Sequence, residues 1–348
     1  MSPADSVPRN IKSIAIETTK LCNSHCVVCP RELLKPELNT TMPLEDFKTV
    51  TRRVFDYFDV ESLTVGGFGD VAVDKCLVDR LQWLKHDFGW RTGSVQIATN
   101  GAPMARSVLD RIFEQNLVTT FTWSLFADDR ETYIRTNQRD QFARAVEHLE
   151  YAIEAKRRSN SDVAIRLYTL LLEENKDTFH QVIARWSGRV DALEAWLPHN
   201  WSDKRAYRTN TFGGQAPPCS RVMDLDMVVR SNGDVTACCL DINHALVYGN
   251  LLASQFADLF APESFYWTLR REHEAGTVPP QSLCHNCDFL NNRSQDAQIY
   301  WEENGAVKID LVTGRSPDQV LQLNVQGPPA QDGGRPRLLP MATPTRIP

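Results

Sequence analysis

No run of eighteen apolar residues occurs in the chain, so the sequence offers no membrane-spanning helix. The first residues, MSPADSVPRNIKS, lack the apolar stretch of a secretory signal, which points to a cytoplasmic protein. A basic surplus is missing too. Lys and Arg number 38 against 44 Asp and Glu, and the resulting net charge of −6 argues against a nucleic-acid-coating protein. No internal repeat is evident. What is present can pack a core: 42% of residues are apolar and 24% charged, a balance that excludes global disorder. A length of 348 residues accommodates two domains, or one large barrel with an appendage. In a reducing compartment the nine cysteines read as metal ligands or reactive thiols before they read as disulfides.

Short apolar segments at 13–18, 62–67, 94–101, 118–126, 163–172 and 190–198 read as buried parallel strands. Amphipathic stretches at about 44–58, 74–87, 104–115, 140–158 and 175–187 read as the helices between them. This alternation predicts an α/β fold, a partial (β/α)6 TIM-like barrel with right-handed crossovers and its ligands at the C-terminal strand ends. A polar, Gly- and Pro-containing stretch at 200–218 reads as a linker. A small C-terminal unit follows, with a hairpin turning at Ser231-Asn-Gly-Asp234 and a helix near 264–275. The expected division is an extension over 1–11, the barrel over 12–205, the small domain over 206–295 and a C-terminal extension over 296–348. Beyond about 316 the Pro-, Gly- and Gln-rich composition predicts disorder.

Directly after the first strand comes Cys22-Asn-Ser-His-Cys26-Val-Val-Cys29. Three thiolates at this spacing can bind three irons of a [4Fe–4S] cube and leave the fourth open. Zinc is the alternative, with His25 as a fourth ligand inside the loop. A second set comprises Cys219, Cys238, Cys239 and the C-x2-C knuckle Cys284/Cys287. Four ligands from three segments suit zinc or a second cube, and spacing alone leaves the two open. Cys76 lies among Val73, Leu77 and Leu81 and reads as core.

The Cys22/Cys26/Cys29 loop, in its place after the first strand, resembles the cluster motif of the radical S-adenosylmethionine (SAM) superfamily. The resemblance covers about 12–292. It implies that the open iron chelates the amino and carboxylate groups of SAM. By the same resemblance Val28 packs near adenine, and Gly66-Gly67-Phe68-Gly69-Asp70 matches the Gly-rich segment that approaches the SAM ammonium, with Gly67, Gly69 and Asp70 as contacts. Asn100 and Ser124, at the ends of the third and fourth strands, match positions lining ribose and methionine. Arg135 resembles an arginine that pairs with the SAM carboxylate. His199, at the end of the sixth strand, is a candidate substrate contact.

Cys219, Asn232-Gly-Asp-Val-x-x-Cys238, Tyr248-Gly-Asn-Leu251 and Cys284/Cys287 resemble the twitch domain, the short form of the SPASM auxiliary-cluster domain. That resemblance implies one auxiliary [4Fe–4S] cluster, since no cysteine follows Cys287. Cys239, beside a ligand, is a candidate hydrogen-atom donor or an alternative ligand to Cys238. Twitch-type relatives include 2-deoxy-scyllo-inosamine dehydrogenase and other antibiotic-sugar tailoring enzymes. The expected function is hydrogen abstraction from a small sugar-like metabolite, ending in oxidation of an alcohol to a ketone. The alternatives are epimerisation, decarboxylation, and modification of a peptide or activation of a protein. A flavodoxin- or ferredoxin-type electron donor is implied as a partner; nucleic acid and membrane are not.

Overall fold

Six parallel strands form where the six apolar runs stand in the sequence: β1 (Asn10–Ile16), β2 (Asp59–Val65), β3 (Ser94–Thr99), β4 (Thr120–Ser124), β5 (Ala164–Leu170) and β6 (Ala192–Trp196). The computed structural model describes residues 7–89, 91–202, 204–205, 218–285, 287 and 298–309. The linker stretch 206–217 and the tail beyond 309 lie outside the described residues. Between the strands run α1 (Leu44–Tyr57), α2 (Leu77–Phe88), α3 (Arg106–Glu114), α4 (Arg130–Asn137), α5 (Phe142–Ser159) and α6 (Phe179–Trp186). In α1, Phe47, Val50, Val54 and Phe55 are buried at helical spacing, and Glu45 and Asp46 complement the positive N-terminal end. Helix α4 lies outside the predicted set. Its sequence, RETYIRTN, carries no apolar stripe; it starts because the Asp129 side chain accepts from Thr132 N at 2.8 Å. Cys76 is half-buried at the N-terminal boundary of α2 and is not a core residue.

The C-terminal part adds α7 (Ser220–Met223), β7 (Met227–Val229), β8 (Asp234–Thr236), β9 (Val247–Asn250), α8 (Phe256–Leu259), α9 (Phe265–Ala275), β10 (Gln298–Glu303) and β11 (Ala306–Ile309). All eleven strands belong to one open sheet, ordered β11-β10-β6-β5-β4-β3-β2-β1-β7-β8-β9. The predicted hairpin extends the barrel sheet: β7 pairs in parallel with β1, with Ile14 opposite Met227 and Ile16 opposite Val229. At the other edge, β10 pairs antiparallel with β6. This last hairpin falls in a stretch read as an extension, although Asn304-Gly305 is a strong turn signal, with both residues at positive φ. It is anchored by Glu302, which accepts from Ser187 Oγ, Gly188 N and Tyr300 Oη.

One face of the parallel strands is sealed. Ile14, Ile16, Leu63, Val65, Ile97, Phe121, Trp123, Ile165, Leu167 and Leu193 are buried, in one core with residues of α1 to α6. The opposite face alternates with it and is only half-covered: Ser13, Ala15, Ser62, Thr64, Gln96, Thr122, Ser124, Arg166, Tyr168, Glu194 and Trp196. A fully wrapped parallel sheet would be apolar on both faces.

Two candidate cysteine centres

Cys22, Cys26 and Cys29 occupy the loop that leaves β1, and the loop is held from several sides. His25 N donates to Asn137 O at 3.2 Å and Val27 N to Thr136 O at 2.9 Å, both at the end of α4. Asn23 and Asn100 exchange amide hydrogen bonds at 3.2 and 2.8 Å, and Asn23 also donates to Gln141 Oε1 at 2.6 Å. Arg205 donates to the carbonyls of Val27 and Cys29. All three thiols are free. Burial pushes Cys29 up to about 12 and Cys26 higher, with Cys29 and Cys22 adding to the rise at Cys26; Cys22 is raised by burial and by Asp70. Nucleophilic cysteines need the opposite shift. Thiols like these lose their protons to a bound metal. His25 is exposed, and Val28 is buried beside Cys29.

The Gly-rich segment packs directly on this loop. A Cβ at Gly69 would stand 2.3 Å from Thr19 O and 2.6 Å from Leu21 O, and one at Gly67 would stand 2.6 Å from Glu17 Cγ. Asp70 N donates to Leu21 O at 2.9 Å. The Asp70 carboxylate faces inward. It accepts from Asn100 N, Asn100 Nδ2, Thr99 Oγ1 and Ala72 N at 2.7, 2.5, 2.7 and 2.9 Å. It thus joins the end of β2 to the end of β3 and orients Asn100. Ser124 is half-buried at the end of β4. The Arg135 guanidinium donates to Glu131, Thr132 Oγ1 and the Glu174 carbonyl, and no hydrogen bond to the loop is among these contacts. Tyr133, which no sequence signal marked, is fully buried. Its phenol is pushed up by burial and then by Cys26, Asp70 and Cys22. Tyr133 Oη, Thr18 Oγ1, Ser24 Oγ and Asn137 Nδ2 are buried without a hydrogen-bond partner among the described residues. Buried polar atoms are rarely left so. Three thiols beside a close-packed glycine segment, with the orphan Tyr133 hydroxyl near enough for Cys26 and Cys22 to raise it, make a site suited to a cluster.

The second centre is a small pocket lined by Cys219, Cys238, Cys284 and Cys287 together with apolar Val222, Ala237, Leu246 and Leu283 and with Ser202, Arg221 and His273. Three chain segments supply the four thiols, so the gathering depends on the tertiary fold. Cys219 precedes α7, Cys238 follows β8, and the knuckle follows α9. Burial raises Cys219, and raises Cys284 to about 12. Cys238 is raised by its hydrogen bond with Cys239 and by burial. Cys239 is exposed and does not line the pocket; its thiol is lowered by the bond with Cys238 and by the Arg221 guanidinium. Of the two adjacent cysteines, Cys238 is the one that faces the other three. His273 Nδ1 accepts from Cys219 N at 3.4 Å and, buried, is lowered in pKa. Among the described residues no three His, Cys, Asp or Glu side chains converge as ligands of one ion would. Ligands of a cube go to separate irons and need not converge.

Between the centres runs a buried ionic network that no sequence motif announced. Glu17 accepts from Phe68 N and from Arg230 Nη1, both at 3.1 Å, and Lys20 Nζ lies 3.9 Å away. Arg230 donates onward to Thr236 Oγ1, Cys238 O and Asp241 O at 2.8, 2.6 and 3.0 Å. Lys20 donates to Ile242 O at 2.8 Å and meets His244 at 2.6 Å; burial lowers it to about 8. His199 stands at the end of β6 with its ring 4.7 Å from Trp201, which meets Phe68 of the Gly-rich segment edge-on at 5.7 Å.

Residues 219–288 match the family model for SPASM, an iron–sulfur cluster-binding domain. No match is found among curated protein sequences. Among solved structures, the chain is similar to BtrN in complex with AdoMet and 2-DOIA, at 16% identity and a TM-score of 0.54, over 80% of this chain and 93% of that one. It is similar to SuiB of Streptococcus suis bound to precursor peptide SuiA, at 13% identity and a TM-score of 0.60, over 82% and 71% of the two chains. A third is anSMEcpe with bound AdoMet, at 13% identity and a TM-score of 0.55, over 77% and 81%. At these identities the likeness establishes the fold. Fold and family match together agree with the resemblance to radical SAM enzymes that carry a C-terminal auxiliary-cluster domain. No helix among the described residues is long and apolar enough to cross a membrane.

Proposed function

We propose that the chain is a radical SAM enzyme that oxidises a secondary alcohol of a small, polar, sugar-like metabolite to a ketone. Two unlike cysteine centres on one sheet support it: three thiols beside a close-packed glycine segment, and four thiols around a small pocket. In this reading Cys22, Cys26 and Cys29 hold the SAM-binding cluster, and Cys219, Cys238, Cys284 and Cys287 hold the auxiliary one. When bound, these groups supply a 5′-deoxyadenosyl radical that removes a hydrogen atom, and an acceptor for the electron then left on the substrate.

The protein's own part is placement. Gly67 and Gly69 keep the second strand's loop close to the cysteine loop, and Asp70 and Asn100 fix its height. The half-covered face supplies polar contacts, which suit a polar substrate better than an apolar one. Ser124, Tyr168 and Glu194 lie side by side across β4, β5 and β6, and Trp301 of β10 continues the row. Oxidation of an alcohol releases one hydrogen atom, one electron and one proton. Glu194, whose Oε1 is 3.3 Å from Arg166 Nε, is the carboxylate that this face offers to the proton.

BtrN, with 2-DOIA bound, supports the small-molecule reading. SuiB bound to SuiA, and anSMEcpe with the Cp18Cys peptide, favour a second one, in which the substrate is a peptide. Anaerobic turnover with reductant, SAM and pooled pathway metabolites decides between them. A small-molecule product lighter by about 2 mass units, with equimolar 5′-deoxyadenosine, is the expected result. An unchanged mass would mean epimerisation, and product formation only from peptides would favour the second reading.

A further inference from the structure

A buried ion pair is weak evidence for stability, because well-packed apolar residues of similar volume often serve as well or better. Arg230 and Glu17 are nevertheless 1% and 0% exposed, 3.1 Å apart, and 213 residues apart in sequence. Their position links the two cysteine centres. Glu17 directly follows β1, five residues before Cys22, and holds the Gly-rich segment through Phe68 N. Arg230 directly follows β7, and one of its nitrogens donates to the carbonyl of Cys238, a residue that lines the four-cysteine pocket. Both Arg230 terminal nitrogens and Nε are engaged, so the guanidinium is fixed in orientation.

We propose that Arg230 and Glu17 are positioning residues that set the reduction potential of the group held by the four C-terminal cysteines. This rests on the reading that those cysteines hold an iron–sulfur cluster. The potential of a cluster responds to net charge and to hydrogen bonds around its ligands. A fixed cation against the Cys238 peptide stabilises the more negative, reduced state and raises the potential. Glu17 offsets that cation, and its removal leaves both Arg230 and Lys20 without their carboxylate. In low-dielectric surroundings such charges act strongly over short distances. The pair therefore acts in opposite senses: Arg230 pulls the potential up and Glu17 pulls it down.

The test uses the full-length chain carrying Cys22→Ala, Cys26→Ala and Cys29→Ala, so that only the C-terminal centre contributes. Its midpoint potential is measured by anaerobic redox titration followed by EPR, with iron analysis of each sample. Glu17→Gln, nearly isosteric, is expected to shift the midpoint to higher potential. Arg230→Gln is expected to shift it lower, and Arg230→Lys, which keeps the charge, to stay closer to the parent than Arg230→Gln does. A structural role alone would change iron retention without shifts of opposite sign. If Arg230→Gln does not retain iron, Glu17→Gln and Arg230→Lys still decide. A Glu17→Gln midpoint that is unchanged or lower overturns the proposal. Absence of iron from the parent triple variant overturns the cluster reading itself, a separate failure visible before any titration.

Discussion

Cys22, Cys26 and Cys29 come from eight consecutive residues, whereas Cys219, Cys238, Cys284 and Cys287 come from three separated segments. The first loop needs a frame around it. It receives one from the end of α4, from Asn100 on β3 and from Arg205. The second centre is itself a product of the fold, since its thiols meet only after α7, the β7–β8 hairpin and α9 have packed. Polar hydrogen bonds define the first site and apolar walls the second. The first should therefore respond to changes in hydrogen bonding and close backbone approach, and the second to changes in packing and burial.

The largest expected effect is on the first centre alone. Alanine at Cys22, Cys26 or Cys29 should abolish 5′-deoxyadenosine formation, as read by chromatography of anaerobic reactions. Full SAM cleavage by the triple variant would break the distinction between the sites. Next comes Gly69→Ala. Its Cβ would meet backbone, at 2.3 Å from Thr19 O, and backbone cannot swing aside. We expect a loss of about 1–3 kcal/mol in denaturant unfolding, the range for overpacking, and weakened SAM binding by calorimetry.

Asp70→Asn presents an amide N–H2 to a site that now accepts four donors. A cost of about 1–3 kcal/mol follows from the donors left unpaired. Iron at the C-terminal centre should not change, which is the sharpening result.

His273 gives the second centre a pH signature. Burial lowers its pKa below the ordinary 6.5, so the unfolded chain binds a proton that the folded chain refuses. Stability from this group is full above that ordinary value and falls as pH drops through it. The metal-free chain should lose stability between roughly pH 7 and 5, and His273→Asn should reduce that slope in denaturant titrations. The smallest effect belongs to Cys239→Ala. The thiol is exposed and outside the pocket, so most activity should remain. Loss of product with SAM cleavage intact would restore its role as hydrogen donor.

The strands were legible because each is a short apolar run, and the cysteine loop because its spacing is local. Helix α4 was hidden by its polar sequence, although its last carbonyls hold that loop. Glu17, Lys20 and Arg230 could not be read as partners, since nothing in a sequence places β1 beside β7. Tyr133 gave no signal because its importance lies in what surrounds its hydroxyl. Asp70 and Asn100 were found as separate positions, and only the structure joins them by hydrogen bonds. Arg135 was found as a residue type, and the structure adds that its guanidinium meets Glu131 on its own helix.

The central claim is that one chain carries two independent iron–sulfur centres of different construction. Metal analysis after anaerobic reconstitution tests it most directly. About eight irons per chain are expected in the wild type and about four when either cysteine set is replaced by alanine. About four irons with one stoichiometric zinc in the wild type, or loss of all iron when one set alone is removed, would contradict it.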